Sequence, residues 1–332
     1  MLAAVEPFSR WPIDFAEVLA AETRIRPYVA ETPLRSYAPL DAAVSGNVRV
    51  RVKHENHAPT NSFKIRNALS VMTRLPDDAR RRGVVTATRG NHGLGVAYAG
   101  ALLGIPATIF VPRGNNPEKN EGMRGYGAEL VENGRDYDEA LAAAETAARD
   151  RGLHMVHSTN DPAVIAGAAT FTLEILRREP ELDALVLSVG GGSQAVGAMT
   201  VARTLAPGLA VYGVQAAGAS AAHDSWRARR PLTAASADTF ADGLATRSVY
   251  AATFGPLCEG LADFVTVTDG EIAEALRVIL RTTHNLVEGA GAAGLAGLMK
   301  LRDRLAGRTV AIVLSGSNID RSTLARVVGG AA

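Results

Sequence analysis

Short runs of almost unbroken apolar residues, separated by segments with helical spacing, constrain this chain more than any other feature. The segments GVVTA (83–87), ATIFV (107–111), ALVLSV (184–189) and TVAIVLS (309–315) read as buried strands. VRVRV (48–52), 128–131, 210–215 and 264–267 read as further strands. Helical spacing appears at 64–74, 92–103, 117–126, 138–149, 163–178, 193–205, 270–282 and 291–301. Strands this apolar need cover on both faces, and alternation with helices implies open parallel sheets of an α/β fold. In such folds ligands bind beyond the carboxyl ends of the strands. Chemistry is therefore sought in the segments that follow strands.

Composition removes several classes of function. The chain has 332 residues and is 47% hydrophobic, enough for more than one core. Lys and Arg total 35 against 34 Asp and Glu, a balance with no call for nucleic acid or an anionic membrane as partner. The short arginine runs at 80–82 and 227–230 read as solvated surface. The single cysteine, Cys258, rules out a disulfide within the chain, fits a reducing compartment and reads as a packing residue. The start, MLAAVEPFSRWPIDF, lacks the pattern of a signal peptide. The longest apolar stretch, 96–111, is interrupted by Gly100, Gly104 and Pro106 and is too short for a membrane span. A cytoplasmic protein is expected. PLTAASADTFAD (231–242) reads as a surface loop, and with the sequence ending at Ala332 no appended regulatory domain is expected.

Four segments are rich in Gly, Ser, Thr and Asn. The first is Pro59-Thr60-Asn61-Ser62-Phe63-Lys64. A lysine opening a helix lies at the positive end of the dipole, which suits an amine whose charge is disfavoured so that it can form a Schiff base. The plain alternative is a surface lysine. The second is Thr88-Arg89-Gly90-Asn91-His92-Gly93, a turn whose exposed amides suit a carboxylate or, more simply, a turn with Asn91 as helix cap. The third, Val189-Gly190-Gly191-Gly192-Ser193, joins a buried strand to a helix and can wrap a phosphate. Its spacing is neither that of a dinucleotide fingerprint nor of a nucleoside triphosphate loop. The fourth is Leu314-Ser315-Gly316-Ser317-Asn318.

Together these supply an amine, a carboxylate nest, a phosphate cup and a neutral hydroxyl, the parts of a pyridoxal phosphate site. In this ordered set, from Ile25-Arg-Pro-Tyr-Val-Ala-Glu-Thr-Pro-Leu34 to Ser315-Gly-Ser-Asn-Ile-Asp320, the chain resembles the threonine dehydratase and serine racemase branch of the fold-type II pyridoxal phosphate enzymes. The resemblance implies a tryptophan synthase β-like fold of two open parallel-sheet α/β domains with the cofactor between them. Residues 79–156 would form the small domain, and 1–78 with 157–332 the large one. Lys64 would hold the cofactor covalently, with Phe63 beside its ring and Gly243 against the other face. Asn91 would bond the phenolic oxygen, and Gly190, Gly191, Gly192 and Ser193 would cup the phosphate. Ser315 would meet the ring nitrogen, and Glu288 matches an acidic position near the cofactor. Ser62, Thr88, Arg89, Asn91 and His92 would contact a small amino acid substrate. The expected reaction removes water and then ammonia from a β-hydroxy amino acid such as threonine or serine, in a homodimer.

The chain departs from that family at several points. Asn61, Asn67, Ser193 and Ser317 stand where glycine is usual. Arg89 replaces the serine of the racemases, which argues against racemisation. It reads either as a contact for an acidic or larger substrate or as a residue that points to solvent or pairs with a domain-edge carboxylate. Gln215 and Ala221 replace acidic metal ligands, so no divalent ion is expected. The pairs His54 and His57, and His154 and His157, read as structural. Dehydratases for phenylserine or 3-hydroxyaspartate are close alternatives, with β-replacement and a non-catalytic sensor further off.

Overall fold

The protein, seen in a computed structural model, is described over residues 11–330. The first ten residues of the N-terminal stretch and the last two of the chain lie outside these. Among the described residues ten strands form two sheets. They are β1 (Leu34–Arg35), β2 (Arg49–Lys53), β3 (Val84–Ala87), β4 (Ala107–Val111), β5 (Glu129–Glu132), β6 (His154–Met155), β7 (Ala184–Ser188), β8 (Ala210–Ala216), β9 (Asp263–Val267) and β10 (Thr309–Val313). The larger sheet runs β1-β2-β10-β7-β8-β9 and the smaller β5-β4-β3-β6. Every pairing is parallel except β1 with β2. That two-residue antiparallel edge is a departure from the all-parallel expectation, and it is too short to carry a periodic signal.

The two-sided cover expected of the apolar strands is present. Leu185, Leu187, Ala311 and Val313 enter one core, while Val186, Val310 and Ile312 enter another on the opposite face. The first core also takes in Val84, Ile109 and Val111, so both sheets share it. Val85, Ala87 and Phe110 face a third, smaller cluster. Each such Val or Leu contributes about 1.5–3 kcal/mol by leaving water.

Helix Lys64–Met72 is held where the sheets meet. A Cβ at Gly95 would come within 2.8 Å of the Lys64 carbonyl, and one at Gly167 would collide with the Arg66 carbonyl. The missing side chains let two helices close on this one from either side. Behind it Arg66 pairs with Glu55 at 2.8 Å and Glu174 at 2.6 Å, and Lys53 pairs with Glu174 as well.

Some elements differ from the sequence reading. The last strand stops at Val313, so Leu314 and Ser315 leave the ladder before the turn. Helices Phe15–Ile25 and Ala251–Gly260 had no sequence expectation; the second contains Pro256, which normally argues against a helix interior. Residues 231–241 have no regular structure and Ala235–Ala237 also wall the cavity described below, so this loop is more than surface.

The histidines are engaged structurally. His54 meets the Tyr37 hydroxyl at 2.9 Å and stacks on His57, and His157 Nδ1 accepts from two backbone amides. Gln215 accepts from the His223 amide. Among the described residues no group of three or more His, Cys, Asp or Glu is placed to hold a metal ion, and no helix is long and apolar enough to cross a membrane.

Candidate active site

Lys64 is the first residue of its helix, and Phe63 before it provides no side-chain cap. An ammonium there faces the positive end of the dipole. Its Nζ donates to the Ser158 carbonyl at 3.2 Å. Burial pulls the amine down to about 8, and the Glu288 carboxylate offsets only part of the effect. Such an amine is readily deprotonated and nucleophilic near neutral pH. Phe63 is buried beside it, edge-on to Phe171, with the ammonium 5.0 Å from its ring centroid.

A cavity of about 370 Å³ opens around Lys64 between the two sheets. From the turn after β3 and the start of the next helix come Thr88, Arg89, Asn91 and His92. Thr88 Oγ1 accepts from the amides of Gly90 at 2.9 Å and Gly93 at 3.2 Å, which fixes the turn. Asn91 is not the helix cap: that position is Gly90, with no side-chain bond. The Asn91 amide donates to Glu288 at 2.5 Å and its oxygen accepts from Asn318 at 2.7 Å. His92 is buried, and its Nε2–H donates to the Val156 carbonyl at 3.0 Å. Burial and then Lys64 push its imidazole down to about 3, so Nδ1 is a buried acceptor without a partner.

The opposite wall is the bend after β7. Gly190, Gly191 and Gly192 lead into helix Ser193–Leu205, whose N-cap Gly192 sits at φ 96° with no side-chain cap. A Cβ at Gly190 would strike the Gly243 carbonyl, and one at Gly191 would strike Thr159 Oγ1. The bend is thus a backbone cradle with first-turn N–H donors free to meet an anion. Gly243, Glu288 and the buried Ser315 line the same cavity. The Glu288 carboxyl is pushed up by burial, with Lys119 opposing.

These features fit pyridoxal phosphate. A low-range amine, an anion cradle that side chains would fill and an orphaned buried nitrogen lie around one space of suitable size. Two expected residues stand apart. Ser62 does not line the cavity; it is fully buried behind it, bridged to Gly316, with its hydroxyl unpartnered. Arg89 lines the cavity half-buried, and its guanidinium makes no hydrogen bond or ion pair with a described residue, so pairing at the domain edge is not realised. Asn61 takes φ 54°, a left-handed conformation that asparagine tolerates in place of glycine. Nothing in the structure explains Asn67, whose polar side-chain atoms are buried without partners.

Sequence reasoning missed Lys119, Tyr137, Ser158, Thr159, Asp242 and Tyr250, which line the cavity too. Lys119 donates to Asp242 at 2.8 Å across the space. The segment that precedes it, Gly-Asn-Asn-Pro, follows β4 as the other four follow their elements; that was the available signal.

Comparison with known proteins agrees with this geometry. The family model for pyridoxal-phosphate dependent enzymes matches residues 25–316. An L-threonine ammonia-lyase of Geobacter sulfurreducens is 39% identical over 95% of this chain and 78% of its own length. An L-threo-3-hydroxyaspartate ammonia-lyase of Saccharomyces cerevisiae is 30% identical over 95% of this chain and 96% of its own. The structure of maize serine racemase superposes with a TM-score of 0.91 at 29% identity, covering 96% of this chain and 98% of that one. By motif, fold and relatives alike, this chain belongs to the pyridoxal-phosphate dependent enzymes.

Proposed function

We propose that this chain is an ammonia-lyase that converts a small β-hydroxy amino acid, threonine or serine, to a 2-oxo acid and ammonia. One observation carries the reading: the Lys64 amine, the uncapped glycine bend and the Ser315 hydroxyl face one cavity. The ammonia-lyase names of its relatives support it.

Pyridoxal phosphate, when bound, supplies the sink for the electron pair left when the substrate's Cα loses its proton. Lys64 would tether it at rest, and its freed amine would take the Cα proton. Gly190, Gly191, Gly192 and Ser193 would hold the phosphate on backbone donors, with Phe63 and Gly243 beside the ring. Asn91, held by Glu288 and Asn318, would meet the phenolic oxygen. Ser315 would face the ring nitrogen; a neutral hydroxyl does not enforce protonation there, which favours loss of the β-hydroxyl over transamination. Thr88 and Arg89, with the free amides of the turn, would hold the carboxylate, while His92 Nδ1 could only accept a hydrogen bond from a donor on the ligand. The β-hydroxyl leaves as water, and the released enamine takes up water to give the 2-oxo acid and ammonia.

Residues 79–156 would act as a small domain against 1–78 with 157–332, working in the cytoplasm as a homodimer; light scattering at twice 34.7 kDa supports the assembly. A second reading, an acidic substrate such as 3-hydroxyaspartate, draws on the unpaired Arg89 guanidinium. The test is a panel of β-hydroxy amino acids given to cofactor-loaded protein, with 2-oxo acid formation as readout. Formation from threonine or serine is expected; none from any member contradicts the proposal.

A further inference from the structure

Tyr137 and Tyr250 come from different parts of the fold and meet side by side at the cavity. Tyr137 opens helix Tyr137–Arg151, which packs on the smaller sheet, and Tyr250 is the N-cap of helix Ala251–Gly260. The Tyr137 hydroxyl lies 3.0 Å from Ser158 Oγ, and the backbone carbonyl of that same serine holds the Lys64 ammonium. Tyr250 interacts with Tyr137 and packs edge-on against His157. Burial holds both phenols above their ordinary range, so both hydroxyls stay neutral. The pair is therefore a hydroxyl-bearing wall next to the amine.

The charges around the cavity are distributed unequally. Asp136 and Asp138 flank the tyrosine wall and share one cation, Arg247, which leaves one negative charge over. Arg89 lines the cavity where it adjoins a second depression of mixed charge, and its guanidinium, unlike that of Arg247, has no carboxylate partner among the described residues. An amino acid with its nitrogen at Lys64 and its carboxylate on the Thr88–His92 turn meets positive charge at the carboxylate. Its side chain meets two phenols backed by excess negative charge.

We propose that Tyr137 and Tyr250 set substrate class, admitting short neutral β-hydroxy side chains and rejecting both a β-carboxylate and a phenyl ring. This rests on the lyase reading above and narrows it. A second carboxylate is repelled by the aspartates, whose one cation, Arg247, is already paired with them, and an aromatic ring would have to displace a phenol.

The test is titration of the cofactor absorbance with amino acids that lack a β-leaving group: alanine, 2-aminobutyrate, aspartate and phenylalanine. Alanine and 2-aminobutyrate are expected to bind at least about tenfold more tightly than aspartate or phenylalanine. Tyr137→Ala should bring phenylalanine within a few-fold of alanine, and Asp138→Asn should improve aspartate alone. Tyr250→Ala repeats the size test at the other member of the wall. Equal binding of all four by the unaltered protein overturns the proposal, as does an unchanged ranking in folded Tyr137→Ala and Tyr250→Ala. The ranking as stated without 2-oxo acid from threonine or serine would remove the lyase reading and leave the wall; 2-oxo acid with the ranking lost would do the reverse.

Discussion

Lys53 ends β2 with its ammonium sealed inside protein, whereas Lys64, eleven residues later, opens into a cavity. Lys53 donates to the Thr32 carbonyl at 2.8 Å and to Glu174, and Arg66 beside it is bound to Glu55, Glu174 and Thr170. Two cations meet two carboxylates, and the network closes on itself. Around Lys64 the accounts stay open. Its ammonium has one carbonyl, His92 Nδ1 has nothing, and the nearest carboxylate is engaged by Asn91. A closed buried network holds a fold in register, while unsatisfied buried groups around a space mark a place for a ligand.

Helix starts show the same contrast. Asp14, Asp161 and Thr268 cap their helices with side-chain bonds and do not line the cavity, while Asp136 is a capped start that does. Phe63, Gly90, Gly192, Tyr250 and Glu288 begin five helices without such caps, and all five line it. Free first-turn amides and the positive ends of five dipoles make the space attractive to anions such as a phosphate and a carboxylate.

This contrast can be broken by exchanging the fates of its two halves. The largest effect is expected at Lys64→Ala: turnover falls by at least about 10³-fold and the cofactor absorbance disappears, while thermal unfolding shows a fold of undiminished stability. Glu174→Gln should do the opposite, costing about 3–5 kcal/mol in denaturant unfolding while the folded fraction keeps the cofactor spectrum. Were Glu174→Gln to silence the spectrum in folded protein, the two networks would not be separable.

Smaller effects sharpen the same point. Gly191→Val puts a side chain against Thr159 and should weaken cofactor binding about 10–100-fold by equilibrium titration, a cost of about 1–3 kcal/mol. The least is a pH effect in cofactor-free protein. Lys64 titrates near 8 when folded against an ordinary 10.5, so between these values the unfolded chain holds a proton that the folded chain has lost. Stability relative to Lys64→Met should therefore rise with pH over that window and be level below it. A flat difference from pH 7 to 10.5 would mean that the amine is not perturbed.

The sheets were largely legible because buried parallel strands write their apolar character into consecutive residues, and the glycine bend because side chains cannot occupy it. Boundaries slipped where tertiary context decides: Ser315 reads as strand but turns out of the ladder toward the cavity. Asn91 reads as a cap, yet its partners are Glu288 and Asn318, some two hundred residues distant in sequence. Tyr137 and Tyr250 carry no local signature, and Lys119 only the Gly-Asn-Asn-Pro turn before it. Each is ordinary in its own helix and becomes part of the site only when the two sheets meet. Ser62 shows the converse error, since adjacency to Lys64 in sequence suggested a contact that the helix start turns away.

The most direct test of the account is borohydride reduction of cofactor-loaded protein followed by peptide mass mapping. The chain has four lysines, Lys53, Lys64, Lys119 and Lys300, so the outcome is discrete. The account predicts the phosphopyridoxyl mass on the peptide that carries Lys64 and on no other. Label on Lys119 or Lys53, or no label on a protein that still turns over substrate, would contradict it.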